Sequence, residues 1–256
     1  MYQFFVDRSQ INIEDKRVMI TGDNYNHLIN VLRIKPGEEF AVSDGEDGKE
    51  YRCALLEGGC DAAGESALCE IRFIKEADNE LPVRVHLYQG LPKSDKMELI
   101  IQKMVELGVY EIIPVNMSRC VMKLDDKKVK SRVERWNSIS EAAAKQSKRK
   151  IIPQVSQPLS FKQAVNDVLQ KGMDIKLVPY ELAEGMEATR NILGNIEADK
   201  DIAVIIGPEG GIAENEIALA TENGFEIITL GKRILRTETA GMAIMSVIAY
   251  LTEGKG

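Results

Sequence analysis

Two loops of the sequence carry residue types that could do chemistry. The first is Gly207-Pro208-Glu209-Gly210-Gly211, which follows the apolar run 202–206. Its glycines allow a sharp turn and a close approach to a ligand, and N–H groups before a helix can hold polar ligand atoms. A tight strand-to-helix turn explains the same residues equally well. The loop matches neither G-x-G-x-x-G nor G-x-x-x-x-G-K-[ST], so it does not indicate a dinucleotide or nucleoside-triphosphate site.

The second loop, LGKRILRTETA at 230–240, leads from a strand into the last helix. Thr237 is predicted to cap this helix, and Glu238 falls in its first turn, where the helix dipole favours a carboxylate. Capping explains these two residues but leaves Arg233 and Arg236 unexplained.

The elements that position these loops fall into two patterns. The first 75 or so residues predict a small β-barrel-like module with one helix at 23–33 and strands at 2–6, 17–21, 38–43, 49–56 and 67–74. From residue 83 onward, strands alternate with helices, which predicts a mostly parallel sheet covered by helices. The strands are predicted at 83–88, 110–115, 175–178, 202–206 and 226–230, and the helices at about 97–105, 126–149, 161–171, 214–223 and 238–252. Ligands of such folds sit beyond the carboxyl ends of the strands.

Composition excludes several classes of protein. With 256 residues, 44% of them hydrophobic, the chain can build a real core, which excludes a disordered protein. Cys53, Cys60, Cys69 and Cys120 form no C-x-x-C pair, and only two histidines accompany them, so we expect free thiols and no metal site. The N-terminus resembles no signal peptide, and the apolar stretch 242–251 is half the length of a membrane span. We therefore expect a cytoplasmic protein without a membrane anchor.

The charge is distributed unevenly along the chain. The formal net charge of −7 argues against a protein that coats nucleic acid through general basicity. Residues 119–150, however, hold eleven basic and four acidic residues, a local charge of +7 that leaves −14 for the remainder. A solvated helix face explains many of these side chains, yet an excess of this size also suits contacts with phosphates.

Five ordered motifs resemble a known family. They are HLINVLR at 27–33, QKMVELGV at 102–109, EAAAKQSKR at 141–149, IGPEGG at 206–211 and LGKRILRTETA at 230–240. Together they resemble the bacterial 16S ribosomal RNA uridine-N3 methyltransferases, which belong to the SPOUT superfamily of S-adenosylmethionine-dependent enzymes. The resemblance runs along essentially the whole chain, and the last two motifs are its most specific part.

The resemblance implies an α/β fold of two domains and a dimer. A PUA-like RNA-binding β-barrel would span 1–75, a linker 76–82, and a SPOUT α/β domain with a deep trefoil knot 83–256. It also implies a homodimer with the active site near the subunit interface. The final helix agrees with this implication, because it is apolar nearly all round and must be buried on more than one side.

The resemblance also assigns site residues. The methyl donor S-adenosylmethionine would be held by three loops, of which Glu181 would accept hydrogen bonds from ribose hydroxyls while Ile234 and Leu235 flank the adenine. The implied donor-binding residues are Pro179, Tyr180, Glu181, Gly207, Pro208, Glu209, Gly210, Gly211, Leu230, Gly231, Ile234, Leu235, Arg236 and Thr237. For RNA binding, the matching residues are Arg8, Arg33, Gln146 and Arg149.

Methylation at N3 of uracil requires removal of the N3 proton. A nearby cation would stabilise the anion that develops, and Arg236 and Arg119 are the candidates for this role. Glu238 is the candidate base, although a plain helix-start carboxylate explains it as well. Because N3 lies on the pairing edge, the target base must be unpaired or extruded.

The sequence leaves two other functions open. The chain could be a SPOUT methyltransferase for another RNA, such as transfer RNA, or a non-catalytic RNA-binding factor in ribosome assembly. The intact donor loops argue against a mere binder, which has no need of a donor pocket. The family motifs in both domains favour 16S rRNA of the small ribosomal subunit over transfer RNA.

Overall fold

The computed structural model describes residues 1–76, 79–121, 126–183 and 185–253, without the side chains of 126–128. These residues form two compact units. One unit comprises Met1–Glu80 with Ala144–Ile152, and the other comprises Leu81–Ala143 with Pro153–Gly256. Ala77 and Asp78 of the predicted linker, and Lys123 and Asp125 of the basic segment, lie outside the described residues.

The first unit is built on a six-stranded sheet in the order β1-β4-β5-β6-β3-β2. Among the described strands of this unit, β1 and β4 form a parallel pair and the other pairs are antiparallel. A short helix α1, Gly22–Asn26, continues into a π-helical turn, His27–Val31, and Phe40 and Tyr51 are fully buried in the core. The strands are β1 Gln3–Phe5, β2 Ile11–Asn12, β3 Arg17–Thr21, β4 Glu39–Ser43, β5 Lys49–Cys60 and β6 Ser66–Glu76.

The limits of this unit differ from the predicted 1–75 and 76–82. Strand β6 runs on to Glu76, and a distant segment, 144–152, joins the unit. Ile151 forms a bridge to Gly45, and the Ser43 hydroxyl donates a 2.9 Å hydrogen bond to the Lys150 carbonyl oxygen. These partners are about a hundred residues apart in sequence, so neither periodicity nor turn residues could reveal them.

The second unit contains the predicted parallel sheet, covered by helices. Its strand order is β10-β8-β7-β12-β11-β13, with β9 beside β8, and every described pairing is parallel. The strands are β7 Arg84–Gly90, β8 Glu111–Asn116, β9 Gln154–Val155, β10 Leu159–Ser160, β11 Ile175–Pro179, β12 Asp201–Ile206 and β13 Glu226–Ile228. The helices are α2 Lys96–Glu106, α3 Asp126–Gln146, α4 Phe161–Lys171, α5 Met186–Gly194, α6 Glu214–Glu222 and α7 Thr237–Thr252.

The predicted order of elements in this unit is confirmed, apart from three short elements. Strands β9 and β10 have two residues each, which is too few for an alternating pattern, and α5 was missed. The helix with the predicted apolar stripe is α2, which buries Met97, Ile100, Ile101, Met104 and Val105.

The last helix is buried on one side. Gly241, Ile244, Met245 and Ile248 of α7 are buried, whereas Val247 and Tyr250 are 40% and 85% exposed. Part of its apolar surface therefore faces outward within this chain. Within the described part of the chain, no helix combines the length and hydrophobicity needed to cross a bilayer.

Candidate active site

Three loops meet at the carboxyl ends of β11, β12 and β13 and enclose a cavity of about 420 Å³. This volume lies within the range of pockets that hold small ligands. Thirteen of the fourteen residues predicted to bind the donor line the cavity, and the fourteenth, Gly210, packs against Arg119. The parallel sheet brings the three loops together because the carboxyl ends of its strands share one edge.

Two glycines in the first loop are required by close contacts. A Cβ atom on Gly207 would lie 2.7 Å from Cγ1 of Ile212. Gly211 has a φ of +73°, and a Cβ there would lie 2.6 Å from Oε1 of Glu181. The loop is therefore a tight strand-to-helix turn that also lines a cavity.

A chain of hydrogen bonds joins the first loop to the last helix. The amide Nε2 of buried Gln89 donates to the Thr237 hydroxyl at 2.9 Å, and this hydroxyl donates to the Gly207 carbonyl oxygen at 2.6 Å. The prediction that Thr237 caps α7 is wrong. The helix begins at Thr237, its N-cap residue is Arg236, and the Thr237 side chain is engaged by its neighbours across the sheet edge.

Two carboxylates and one ammonium group form a cluster beside the cavity. Nζ of Lys96 lies 3.0 Å from Oε1 of Glu209 and 3.4 Å from Oε2 of Glu238. The hydrogen bond to Glu209 raises the pKa of Lys96. Partial burial opposes ionisation of Glu209, but hydrogen bonds from backbone N–H groups and from Lys96 hold its pKa below the usual value.

The three arginines near the cavity differ in placement. Nη1 of Arg119 is 3.4 Å from the carbonyl oxygen of Gly210, which puts this predicted cation beside the glycine-rich loop. Arg236 and Arg233 are exposed residues of the cavity lining. Two of these residues, Arg119 and Arg236, were predicted as charge-stabilising groups, and both are brought to the same edge of the sheet.

Sequence reasoning missed several residues of the site. Gln89 belongs to β7, and Lys96 belongs to α2, the helix that follows it. Neither element was predicted to supply site residues. The signal was available, since β7 ends at the same sheet edge as the donor loops. The other lining residues that were not predicted are Ile206, Ile212, Thr229, Arg233 and Ala240.

The predicted RNA-binding residues lie in the first unit and have unlike environments. Arg33 and Gln146 are exposed. Arg8 is half-exposed, and its Nη1 contacts Asp44 at 3.2 Å, Asp47 at 3.1 Å and the Tyr51 hydroxyl at 2.7 Å. Its charge is therefore partly neutralised by the domain itself.

The structure contradicts an RNA-contacting role for Arg149. Its side chain is 4% exposed, and Nη2 lies 2.5 Å from Oε2 of Glu80. The same carboxylate accepts from Nε of Arg149 at 3.0 Å, and its other oxygen accepts from the Lys150 backbone N–H at 2.9 Å. Arg149 is thus a buried partner of Glu80.

The charge of +7 counted for 119–150 overstates the charge available to a polyanion. The segment is divided between the two units, and distant carboxylates neutralise part of it. Arg135 forms a bidentate pair with Glu98 at 2.6 and 2.9 Å, and buried Lys150 lies 2.6 Å from Glu50.

A glycine-lined cavity at the carboxyl edge of a helix-covered parallel sheet, in a chain with a separate small β-sheet unit, defines the class of SPOUT-type RNA methyltransferases. A family model described as an RNA methyltransferase domain matches residues 79–249, and one described as an RNA methyltransferase PUA domain matches 20–59. The chain belongs to the RNA methyltransferase family that includes ribosomal RNA small subunit methyltransferase E.

Individual relatives are similar to this protein along nearly the whole chain. Ribosomal RNA small subunit methyltransferase E of Bacillus subtilis is 36% identical over 99% of this chain and 98% of its own length. A crystal structure of the Neisseria gonorrhoeae protein of that name, bound to S-adenosylmethionine, is 32% identical with a TM-score of 0.78 and 98% of both chains covered. A methyltransferase of Legionella pneumophila in complex with the same cofactor is 31% identical, with a TM-score of 0.74 and 91% of both chains covered.

Proposed function

We propose that this protein transfers the methyl group of S-adenosylmethionine to N3 of a uracil in 16S rRNA of the small ribosomal subunit. The observation that carries the proposal is the cavity, whose lining contains nearly all the residues that the family resemblance assigns to the donor. The small-subunit target is supported by the names of the relatives, and N3 by the resemblance of the ordered motifs.

The residues present fit S-adenosylmethionine. Gly207 and Gly211 line the cavity, so their backbone groups would be able to meet polar atoms of the ligand. Leu235 and Ile234 would flank the adenine, and the exposed Glu181 carboxylate would accept from ribose hydroxyls. When bound, S-adenosylmethionine supplies an electrophilic methyl carbon on a positively charged sulfur.

The residues around the cavity divide the chemistry between them. Glu238 would accept the N3 proton, and the N3 lone pair would form the new bond to the methyl carbon as the carbon–sulfur bond breaks and its electrons return to sulfur. Arg236 and Arg119 would stabilise the negative charge that develops on the uracil ring. Oε2 of Glu238 is buried, and the contact that the structure shows for it is the loose 3.4 Å ion pair with Lys96, which leaves this oxygen capacity to accept a proton.

Partners and setting form part of the proposal. A homodimer is supported by the outward-facing apolar residues of α7, Val247 and Tyr250, which a second copy would cover. RNA would reach the first unit through Arg33 and Gln146, with Arg8 contributing where its acidic neighbours permit. The trefoil knot rests on the family resemblance, and a cytoplasmic location on the RNA substrate.

One experiment tests the activity and its target. The protein is incubated with radiolabelled S-adenosylmethionine and, separately, small ribosomal subunits, naked 16S rRNA and transfer RNA from a strain lacking the gene, and the modified nucleoside is identified. We expect 3-methyluridine in 16S rRNA. Transfer confined to transfer RNA contradicts the target, and RNA binding without any transfer supports an assembly factor instead.

Variants tie the activity to the site. Arg236→Ala is expected to lower the transfer rate by at least about a hundredfold while the protein stays folded, because it removes a cation that faces the developing charge. Lys232→Ala is the matched control, since Lys232 is an exposed cation of the same loop outside the cavity lining. Equal rates in the two variants would remove Arg236 from the reaction.

A further inference from the structure

Lys96 is the one member of the charged cluster that the sequence did not bring to attention. It is the first residue of α2, and the next turns of this helix bury Met97, Ile100 and Ile101 in the core. The base of the Lys96 side chain is therefore fixed by a rigid element. Its ammonium lines the cavity and lies between the carboxylates of Glu209 and Glu238.

The two carboxylates are not equivalent. Both oxygens of Glu209 lie 3.2 Å from the backbone nitrogen of Lys93, and Oε1 is also 3.0 Å from Nζ of Lys96. The loop before α2 thus holds the Glu209 carboxylate, which in turn holds the ammonium. Glu238, at 3.4 Å, is the looser partner, and its buried Oε2 has acceptor capacity that no described residue fills.

An ammonium group attracts a carboxylate within about 4 Å, and the attraction is stronger where water is partly excluded. Among the described residues, Lys96 is the cation whose ion pair with Glu238 the structure shows. The side chain of Glu238 is only 14% exposed, so water screens this interaction less than it would on the surface.

We propose that Lys96 is a positioning residue for Glu238. Its ammonium, fixed by Glu209, holds the Glu238 carboxylate in place at the start of α7, ready to take the N3 proton. Lys96 itself stays protonated and gives up no proton during the reaction. This inference rests on the proposed function, because it gives Glu238 the role of base.

A purely structural role for Lys96 makes a different prediction. If the ion pairs only tie α2 to the loops, loss of Lys96 would lower the rate by the same factor whether or not Glu238 is present. If Lys96 holds Glu238, the loss would depend on Glu238 and would disappear in its absence.

The test measures single-turnover methylation of small subunits by wild type, Lys96→Met and Lys96→Arg. We expect Lys96→Met to lower the rate about tenfold with donor binding unchanged, because the carboxylate of the base is no longer held in place. Lys96→Arg is expected to restore most of the rate, because it keeps the cation.

A double variant sharpens the result. In a Glu238→Gln background, Lys96→Met is expected to cause little further loss, since the group it serves is already gone. An equal rate loss in the Glu238→Gln background, or loss of donor binding by calorimetry, would overturn the proposal. Thermal unfolding checks the fold, and Lys96→Gln replaces Lys96→Met in every comparison if the latter does not fold.

The failures of the two proposals are distinguishable. If wild type methylates no RNA, the proposed function fails. If wild type methylates its RNA and Lys96→Met keeps the wild-type rate, or loses rate equally in the Glu238→Gln background, only the role of Lys96 fails.

Discussion

The Thr237 hydroxyl donates a 2.6 Å hydrogen bond to the carbonyl oxygen of Gly207, although the two residues are 30 positions apart. Thr237 is the first residue of α7, and Gly207 is the first residue of the glycine-rich loop. The hydroxyl is itself held by the Gln89 amide at 2.9 Å. This short chain of hydrogen bonds sets the distance between two of the loops that enclose the donor cavity.

Thr237→Val should separate this role from simple packing. Valine has nearly the same shape, but it cannot donate to Gly207 or accept from Gln89, so two buried polar groups lose a partner. We expect a loss of about 1–3 kcal/mol in unfolding free energy and weaker binding of S-adenosylmethionine. Denaturant titration and calorimetry measure these, and Thr237→Ser, which keeps the hydroxyl, serves as control. Donor binding at wild-type strength in Thr237→Val would contradict the role.

Gly90, the last residue of β7, should be intolerant of a side chain. A Cβ atom there would lie 2.7 Å from the backbone nitrogen of Pro208, so Gly90→Ala must displace the glycine-rich loop. We expect donor binding weakened at least about tenfold, as a shift of about 1 Å in a site is costly.

Gly194→Ala is the matched control for Gly90→Ala. Gly194 ends α5, and a Cβ atom there meets nothing within 4 Å. It is expected to bind the donor as wild type does, and calorimetry on both variants makes the comparison. Unchanged binding in Gly90→Ala would mean that the loop can move without cost.

The donor loops could be predicted from sequence because each is a short local motif at a strand end. The shared edge of a parallel sheet then brings them together without further information. Lys96 was not predicted, because a lysine at a helix start has no local signature, and its partners Glu209 and Glu238 are more than a hundred residues away. The same reason hid Gln89, whose partner is Thr237.

Arg149 shows the opposite error. It sits in a motif of the family and in a basic segment, and both features suggested a surface residue. Its burial depends on Glu80, 69 residues earlier, and on the return of 144–152 to the first unit. A sequence motif can therefore mark a fold contact as readily as a binding contact.

Asp201, at the start of β12, contacts the side chains of Arg84 and His86 at the amino ends of the strands. Its carboxylate forms a bidentate pair with Arg84 at 2.7 and 2.6 Å, and Oδ1 lies 2.9 Å from Nε2 of His86. The hydrogen bonds from Arg84, with a smaller contribution from His86, lower the pKa of Asp201 to about 2, against partial burial.

The ion pair between Asp201 and Arg84 should stabilise the fold in a defined pH range. Because the folded pKa of about 2 lies below the usual 3.8, the stabilisation is complete above about pH 4 and is lost as pH falls toward 2. Its size is on the order of 1 kcal/mol, since solvent screens the pair. Urea unfolding of wild type and Asp201→Asn should differ at pH 6 and converge near pH 2. A difference that does not change with pH would exclude the ion pair as its cause.

Arg149→Met should unfold the first unit rather than weaken RNA binding alone. The substitution leaves Glu80 with its charge in a mostly buried position, and breaking one side of such a pair costs about 3–5 kcal/mol. Gln146→Ala, three residues earlier and exposed, is the control and should keep the wild-type melting temperature while weakening RNA binding. Calorimetric melting and RNA titration of both variants make the comparison. Arg149→Met with a wild-type melting temperature and weakened RNA binding would return Arg149 to the RNA surface, and the Glu80 contact would then be incidental to stability.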